Sequence, residues 1–219
     1  MAVEATARQH YGVMRKYLDS LPAYSLELDR SYEEVLDDAG RKIFLAEIGH
    51  ILLARPNRVR SQFDSDRGGS LLCFDGRTVN IVHYLRKAWA EFELNGNLKQ
   101  LAEFMAERFS IALPLADLLA ADTHLLNLDE AERGDYVGVH LVENVRCHHL
   151  AIEQPKVNWQ IWIDAGERPW PRKLVIDFKT DLGRPISLTV FRNWIANPPI
   201  DDDSFKFVPP EGIPKTMIS

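Results

Sequence analysis

The chain has 219 residues, with 26 basic and 32 acidic side chains and a formal net charge of -6. This length fits one domain, 1–219, with a sizeable core, since a chain of this size typically buries about 70% of its unfolded surface. The acidic balance lacks the basic footprint of a nucleic-acid-binding protein, so we expect no nucleic-acid partner.

Nothing in the sequence marks a membrane span or a secretion signal. No apolar run reaches the roughly 18 residues that cross a bilayer, so no transmembrane segment is predicted. The first residues have neither the basic nor the apolar region of a signal peptide, so either the protein is cytoplasmic or a signal has been removed from this chain. Cys73 and Cys147 could form one disulfide in an oxidising compartment, and two cysteines do not fix the compartment.

The first half of the chain is predicted to be a helix followed by strands. Apolar residues at spacings of three and four predict an amphipathic helix over 3–21. Period-two alternation then predicts a meander of antiparallel strands over 23–94, in which Arg30 interrupts the apolar face of the first strand. The second strand is apolar on both faces over 43–54, which predicts a central position or cover on both sides. Asp75-Gly76 is expected to form a type I′ hairpin turn.

Helices return over 97–121 and strands over 135–194. Asn97 and Gln100 have the spacing of a capping box, and Pro114 marks the first turn of a further short helix. The apolar stripe of these helices includes Leu101, Phe104, Met105 and Leu118. A tail over 197–219 is rich in Pro and Asp.

The clearest hairpin occupies residues 157–179. Both of its strands alternate strictly, and the apolar side chains that share one face are Val157, Trp159, Ile161, Ile163, Leu174, Ile176 and Phe178. Trp162 is the exception, because it falls on the opposite, polar face. What covers the apolar face decides what the protein does.

The sheet is large compared with its helical cover. The pattern predicts about ten strands, mostly with one apolar face, and only about three short helices. A sheet of this size usually curls, and a curled sheet under a few helices can leave a cavity for an apolar ligand. The alternative is that side chains such as Trp159, Phe178 and Phe104 fill the space completely.

Enzymatic chemistry finds little support in the sequence. The cluster of metal-ligating residue types is Cys147-His148-His149, with His140 upstream. Along a strand Cys147 and His149 share a face and His148 points away, so at most two ligands converge locally, whereas zinc needs three or four. No catalytic residue, metal or cofactor is predicted, and we expect a non-enzymatic protein.

Three segments resemble a known superfamily of lipoprotein carriers. Residues 55–57 (Arg-Pro-Asn), 75–78 (Asp-Gly-Arg-Thr) and 205–212 (Phe-Lys-Phe-Val-Pro-Pro-Glu-Gly) are similar to the corresponding segments of LolA. Together with the order of the elements over nearly the whole chain, they resemble the LolA/LolB-type superfamily.

A closer resemblance is to an uncharacterised family of predicted periplasmic proteins within that superfamily. Its pattern is present in residues 55–56, 113–119, 147–151, 159–163 and 171–176. The resemblance implies an α+β, mainly β fold: a strongly curved antiparallel half-barrel of about eleven strands with an N-terminal helix and lid helices in the middle of the chain. It also implies an apolar cavity and a periplasmic location, with the signal peptide absent from this chain.

The resemblance and the apolar pattern together predict the site. The expected function is to hold an acyl chain, a lipid or a lipoprotein in the concave face of the half-barrel. By resemblance to LolA, Arg55 would latch the lid to the sheet. A cavity would be lined by Trp159, Ile161, Ile163, Leu174, Ile176, Phe178, Leu101, Phe104, Met105 and Leu118.

Two alternatives stay open. The first is a regulatory or scaffold domain that binds an envelope protein through its outer face, which Trp162 would favour. The second is a metal-dependent enzyme around the Cys-His-His segment. No lipid-modified N-terminal cysteine is present, so LolB-like anchoring has no support.

Overall fold

A computed structural model describes residues 3–109, 126–201 and 203–216. Eleven antiparallel strands belong to one sheet, with a helix before the first strand and another after the sixth, which confirms the predicted fold class. In chain order the elements are α1 (Ala5–Ser20), β1 (Ala23–Val35), β2 (Lys42–Ala54), β3 (Arg58–Ser65), β4 (Ser70–Phe74), β5 (Thr78–His83), β6 (Ala88–Glu93), α2 (Leu98–Phe109), a 3-10 turn (Leu128–Glu130), β7 (Arg133–Val142), β8 (Val145–Glu153), β9 (Val157–Asp164), β10 (Pro171–Phe178) and β11 (Ile186–Ala196).

The strands lie in the order β6, β5, β4, β3, β2, β1, β11, β10, β9, β8, β7, so β6 and β7 are the sheet edges.

The chain divides into two compact units. The first consists of Met1–Ser20, Leu28–Ala46 and His124–Arg192, and the second of Leu21–Glu27, Glu47–Thr123 and Asn193–Ser219. Whether 1–219 folds as a single domain stays a prediction. Within the described ranges no helix has the length and apolarity to cross a bilayer.

In the first unit, α1 packs on strands β7 and β9. Its buried side chains recur at helical spacing: Ala7, Tyr11, Met14 and Leu18. The ring of Tyr11 lies 5.5 Å from that of Trp159 in β9, and Tyr17 makes an edge contact with Trp170 at 4.8 Å. We call the side of β8–β10 that α1 covers the helix face, and the other side the outer face.

The predicted hairpin is present as β9 and β10. Ile161 is paired with Leu174 of β10 and with Leu150 of β8, while Trp159 is paired with Ile176. Directly opposite residues in antiparallel strands project to the same face. Three neighbouring strands therefore build one apolar surface, the helix face.

In the second unit, α2 begins with the predicted capping box. The backbone N–H of Gln100 donates to Asn97 Oδ1 (3.0 Å), and the backbone N–H of Asn97 donates to Gln100 Oε1 (2.9 Å). Two of the helix's first backbone groups are thereby satisfied, which fixes where α2 begins.

The hairpin between β4 and β5 is present, but its turn is not type I′. Gly76 has a φ of 94°, whereas Asp75 is not among the positive-φ residues of the described chain. A type I′ turn requires positive φ at both central residues. Instead, Asp75 Oδ1 accepts hydrogen bonds from the backbone N–H groups of Arg77 (2.9 Å) and Thr78 (2.8 Å).

Strand β2 is central but incompletely covered. It lies between β1 and β3, as its apolar pattern predicted. Ile43, Phe44 and Ile48 are exposed, with Phe44 at 71% of its surface. Of the two predicted alternatives the central position is therefore the correct one, and the first half of the strand is not covered on both sides.

The C-terminal tail packs on the second unit's strands. Phe207 and Ile213 pack against buried Leu71, Cys73 and Val82. Residues 214–216 run beside edge strand β6: the backbone N–H of Trp89 donates to Pro214 O (3.2 Å), and that of Thr216 donates to Trp89 O (2.8 Å). The tail therefore occupies backbone groups that an edge strand otherwise leaves open.

Candidate functional site

The predicted lining residues of the first unit share the helix face and are deeply buried. Trp159, Ile161, Ile163, Leu174 and Ile176 are each at most 1% exposed, and Phe178 at the end of β10 is half-buried. In this conformation the five buried side chains offer a ligand no free surface. A ligand would contact them only after the side chains that cover them move.

A polar link fixes Trp159 beneath α1. Its indole N–H donates to Gln154 Oε1 (2.7 Å), and Gln154 Nε2 donates to the carbonyl of Asn127 (2.7 Å). Tyr11 of α1 donates its hydroxyl proton to the carbonyl of Leu126 (2.7 Å). Sequence patterns do not single out Gln154, because it is a polar residue at the end of a strand.

Arg30 lies beside the same apolar surface. Its Nε donates to Ser187 Oγ (2.9 Å), and its guanidinium carbon lies 4.7 Å from the ring centre of Tyr32. Ser187 is buried and paired with Ile176, so it projects to the helix face. The residue that interrupts the apolar pattern of β1 is thus held at the border of that face.

Part of the predicted lid lies in α2, in the second unit. Leu101 and Met105 are buried and Phe104 is half-buried, with its ring 5.5 Å from Phe92. Arg108 lies over Phe92 at 4.9 Å. Leu118 and the helix predicted from Pro114 lie outside the described residues.

Two of the LolA-like segments meet at the start of α2. The backbone N–H of Leu98 donates to Pro56 O (3.1 Å), and that of Gly96 donates to Gly76 O (3.1 Å). Gly76 also lies against Asn57, because a Cβ atom at position 76 would be 2.1 Å from Asn57 Nδ2. The strand junction and the hairpin therefore anchor the base of α2 together.

Arg55, the predicted latch, lies at this junction. Its backbone N–H donates to Pro22 O (2.8 Å), and its side chain is half-buried. The third LolA-like segment is in the same unit, where buried Phe205 packs with Ala23 and Ala54 beneath the guanidinium of Arg58 at 4.9 Å. The latch role of Arg55 stays a prediction.

Trp162 lies on the outer face but is not a docking surface. It is 9% exposed, stacks on His149 at 3.9 Å and lies under the ammonium group of Lys173 at 4.6 Å. Trp162 also packs with Val142 and Cys147 in a cluster of buried apolar side chains. Binding of an envelope protein stays a prediction, but Trp162 no longer favours it.

The histidines of the Cys-His-His segment separate to opposite faces, as predicted. His148 lies on the helix face, where it stacks on His10 of α1 at 3.6 Å and its Nδ1 lies 3.0 Å from the Tyr136 hydroxyl. His149 lies on the outer face, with its Nδ1 2.9 Å from His140 Nδ1 and its Nε2 2.9 Å from Gln160 Oε1. Among the described residues no group of three or more His, Cys, Asp and Glu has metal-binding geometry.

Both cysteines are free and buried. Burial, with a contribution from Asp164, raises the pKa of the Cys147 thiol to about 11, so this thiol is protonated at neutral pH. Burial also raises the pKa of Cys73. Neither side chain is exposed as a reactive thiolate would be, although Arg60 lies 3.3 Å from the sulfur of Cys73.

Three histidines make stability depend on pH. Burial lowers the pKa values of His10, His148 and His149 below the ordinary 6.5, and for His10 the neighbouring His148 adds to the effect. The unfolded chain then binds protons more readily, so stability is complete above about pH 6.5 and falls as the pH drops toward the lowered values. Urea unfolding at about pH 7.5 and about pH 5 measures this loss.

His10→Phe keeps a ring on His148 but cannot take a proton, so it should reduce the loss between these two pH values. Gln9→Ala, at an exposed neighbouring position of α1, is the control and should leave the loss unchanged. If stability depends equally on pH in His10→Phe and in the unsubstituted protein, the stacked pair of His10 and His148 does not cause the loss of stability at low pH.

Known proteins share both the sequence pattern and the fold. The family described as "Predicted periplasmic protein (DUF2092)" matches residues 7–218. No curated protein matches the chain. Among solved structures, lipoprotein LppX of Mycobacterium tuberculosis is similar at 12% identity and a TM-score of 0.56, over 90% of this chain and 98% of that chain.

LprF of Mycobacterium bovis is similar at 10% identity and a TM-score of 0.54, over 91% of this chain and 97% of that chain. A LolA superfamily protein of Nitrosomonas europaea is similar at 7% identity and a TM-score of 0.43, over 92% of this chain and 97% of that chain. At these identities the likenesses concern the fold alone.

The predicted resemblance to an uncharacterised family of predicted periplasmic proteins is confirmed. Three of the five segments that carry the family pattern, 147–151, 159–163 and 171–176, lie in adjacent strands, since His149, Trp162 and Lys173 are paired across β8, β9 and β10. Because the family matches nearly the whole sequence, the chain belongs to the DUF2092 family of predicted periplasmic proteins.

Proposed function

We propose that the protein is a non-enzymatic periplasmic binding protein that holds an apolar ligand on the concave face of its half-barrel. The ligand is an acyl chain, either of a free lipid or of a lipoprotein. The observation that supports this most directly is the apolar surface that Leu150, Ile161 and Leu174 build across three strands. Once the side chains that cover it move aside, such a surface binds hydrocarbon through the hydrophobic effect and needs few polar groups to orient it.

The border of this surface suggests where a ligand would enter. Phe178 is half-buried, while Ile176, two residues before it, is buried. Arg30 and Ser187 lie at the same end, since Ser187 is paired with Ile176. A guanidinium group beside an apolar surface suits a ligand with a hydrocarbon chain and an anionic head group.

Native mass spectrometry of protein purified from cells, followed by solvent extraction, tests for a resident ligand. The proposal expects an added mass that dissociates on extraction and is identified as a lipid or a fatty acid. Protein of bare polypeptide mass that takes up no lipid when refolded with an envelope extract would contradict the proposal.

Arg30→Gln tests the head group. We expect the unsubstituted protein to bind palmitate about tenfold more tightly than hexadecanol, because a charge-assisted hydrogen bond is worth about 1.5–3 kcal/mol. In Arg30→Gln this preference should disappear, while hexadecanol binding stays the same. A preference that persists would place the head group elsewhere.

Arg55→Leu tests the latch. Because Arg55 adjoins Pro56, whose carbonyl holds the first turn of α2, loss of its side chain should speed hydrogen exchange in α2 and speed ligand release. Arg58→Leu is the matched control, since that guanidinium lies over Phe205 of the tail instead. If the backbone amides of α2 exchange hydrogen at the same rate in Arg55→Leu and in the unsubstituted protein, Arg55 is not part of the site.

A further inference from the structure

Edge strand β7 is covered at its start and open toward its end. We call the side of β7 that points away from β8 its open edge. Val3 forms a parallel bridge with Gly134 there. The backbone N–H of Tyr136 donates to Glu4 Oε2 (3.0 Å), so the N-terminal residues occupy the first part of the edge. Beyond them, no residue of the described ranges pairs with the open edge of 137–142.

The turn after β7 shows which backbone groups point to the open edge. Residues 143–144 both have positive φ (47° and 67°), which makes a two-residue type I′ turn. In such a hairpin the flanking residues, Val142 and Val145, exchange backbone hydrogen bonds with each other. Since hydrogen bonding alternates along an antiparallel pair, the N–H and C=O groups of Leu141 and Val139 point away from β8.

The side chains of this stretch are apolar and exposed. Val139 is 40% exposed and Leu141 67%. No Asp, Glu, Lys or Arg occurs over 136–142, which read Tyr-Val-Gly-Val-His-Leu-Val. Edge strands that stay unpaired usually carry charged side chains, proline or a bulge that keeps a further strand away. The bulge of β7 lies before Gly138, so 139–142 has none of these protections.

A second copy of this chain fits the open edge. When two β7 strands pair antiparallel about His140, Val139 of each copy lies opposite Leu141 of the other. Their backbone groups point to the open edge in both copies, so each pair exchanges two hydrogen bonds. The opposed side chains are apolar, and His140 meets only its own symmetry mate. The contact is self-complementary and closes after two copies.

The charges next to the edge permit this pairing. Glu143, in the turn, is held by Arg192 of its own chain (2.8 Å). Arg146 lies in β8 opposite Leu141. In the pair the two Arg146 residues are about three strand spacings, or about 14 Å, apart, which exceeds the screening length at physiological salt. No like charges are therefore brought together.

The length of the open edge also suits a second copy. In this register the turn of one copy, residues 143–144, lies opposite residues 136–137 of the other. The pairing therefore ends before Gly134, where each copy already has its own Val3. The N-terminal residues and the contact do not compete for the same backbone groups.

We propose that the open edge of β7 is a dimerisation site, at which two copies pair antiparallel through residues 139–141. The two sheets become one continuous sheet across the dimer. Because the contact is short, the dimer is weak and forms at high protein concentration. The proposal does not depend on the acyl-chain site.

Sedimentation equilibrium of the whole chain, 1–219, between about 5 µM and about 500 µM tests this site. The fraction of dimer should rise across the range, and the backbone amides of Val139 and Leu141 should exchange hydrogen more slowly at the higher concentration. Leu141→Lys should weaken association at least about tenfold, because it sets an ammonium group against Val139 of the other copy. Val139→Pro should also weaken association, because it removes a donor that faces the second copy and none that faces β8.

Leu85→Lys is the matched control, since Leu85 is 68% exposed and lies outside β7, and it should leave association unchanged. Leu141→Lys, at an exposed site, keeps the test valid if Val139→Pro does not fold. Three results would overturn the proposal: a monomer at every concentration, association that Leu141→Lys does not weaken, or association that Leu85→Lys weakens equally. In the first case, the open edge is left for a strand of another protein.

Discussion

Trp159→Ala is expected to lower the free energy of unfolding by about 3–5 kcal/mol. Trp159 is 1% exposed, packs on Tyr11 and donates to Gln154 (2.7 Å). Alanine would leave a cavity under α1 and would leave Gln154 Oε1 without its donor, so both costs add. Urea unfolding followed by circular dichroism measures the change.

Phe44→Ala is the matched control, because it also removes an aromatic side chain but from a site that is 71% exposed. Its effect should be within about 0.5 kcal/mol. If Trp159→Ala cost no more than Phe44→Ala, α1 would not pack on β9 as described.

Gly76→Ala is expected to cost about 2–5 kcal/mol and to loosen the start of α2. Gly76 has a φ of 94°, where a Cβ atom is unfavourable, and that Cβ would lie 2.1 Å from Asn57 Nδ2 and 2.7 Å from Asn57 Cγ. Since Gly76 O accepts from Gly96 N, movement of the hairpin is passed to the chain that enters α2. Urea unfolding gives the energy, and hydrogen exchange in α2 gives the local effect.

Gly212→Ala separates the cost of a positive φ from the cost of the steric clash with Asn57. Gly212 has a φ of 71°, but nothing lies within 4 Å of a Cβ atom there, so only the backbone cost of about 1–2 kcal/mol remains. Equal costs for Gly76→Ala and Gly212→Ala would mean that Asn57 moves aside freely.

Much of the fold can be predicted from the spacing of apolar residues along the sequence. The alternation in residues 157–179 defines β9 and β10, and the three-and-four spacing of Ala7, Tyr11 and Met14 defines the buried side of α1. The capping box of Asn97 and Gln100 is also a local feature, because both of its hydrogen bonds join residues three apart. Local patterns such as these can be read without knowing the tertiary contacts.

Features that depend on tertiary contacts were missed or misjudged. Trp162 is buried because His149 and Lys173 lie against it from neighbouring strands, and the alternation of its own strand does not show these neighbours. Phe44 is exposed although its strand is apolar on both faces. The open edge of β7 has no signal in the sequence, since the order of the strands depends on pairing between segments that lie far apart along the chain.

The central claim is that the helix face and its surroundings bind an acyl chain, and displacement of a fluorescent fatty acid tests it most directly. Purified, delipidated protein should bind the probe saturably, and unlabelled palmitate should displace it at about one equivalent per chain. Ile161→Asp, which places a charge on the buried apolar surface, should abolish probe binding if it folds, and Leu182→Asp at an exposed site should not. Two results would contradict the account. One is a folded, delipidated protein that does not bind the probe, and the other is bound probe that unlabelled palmitate does not displace.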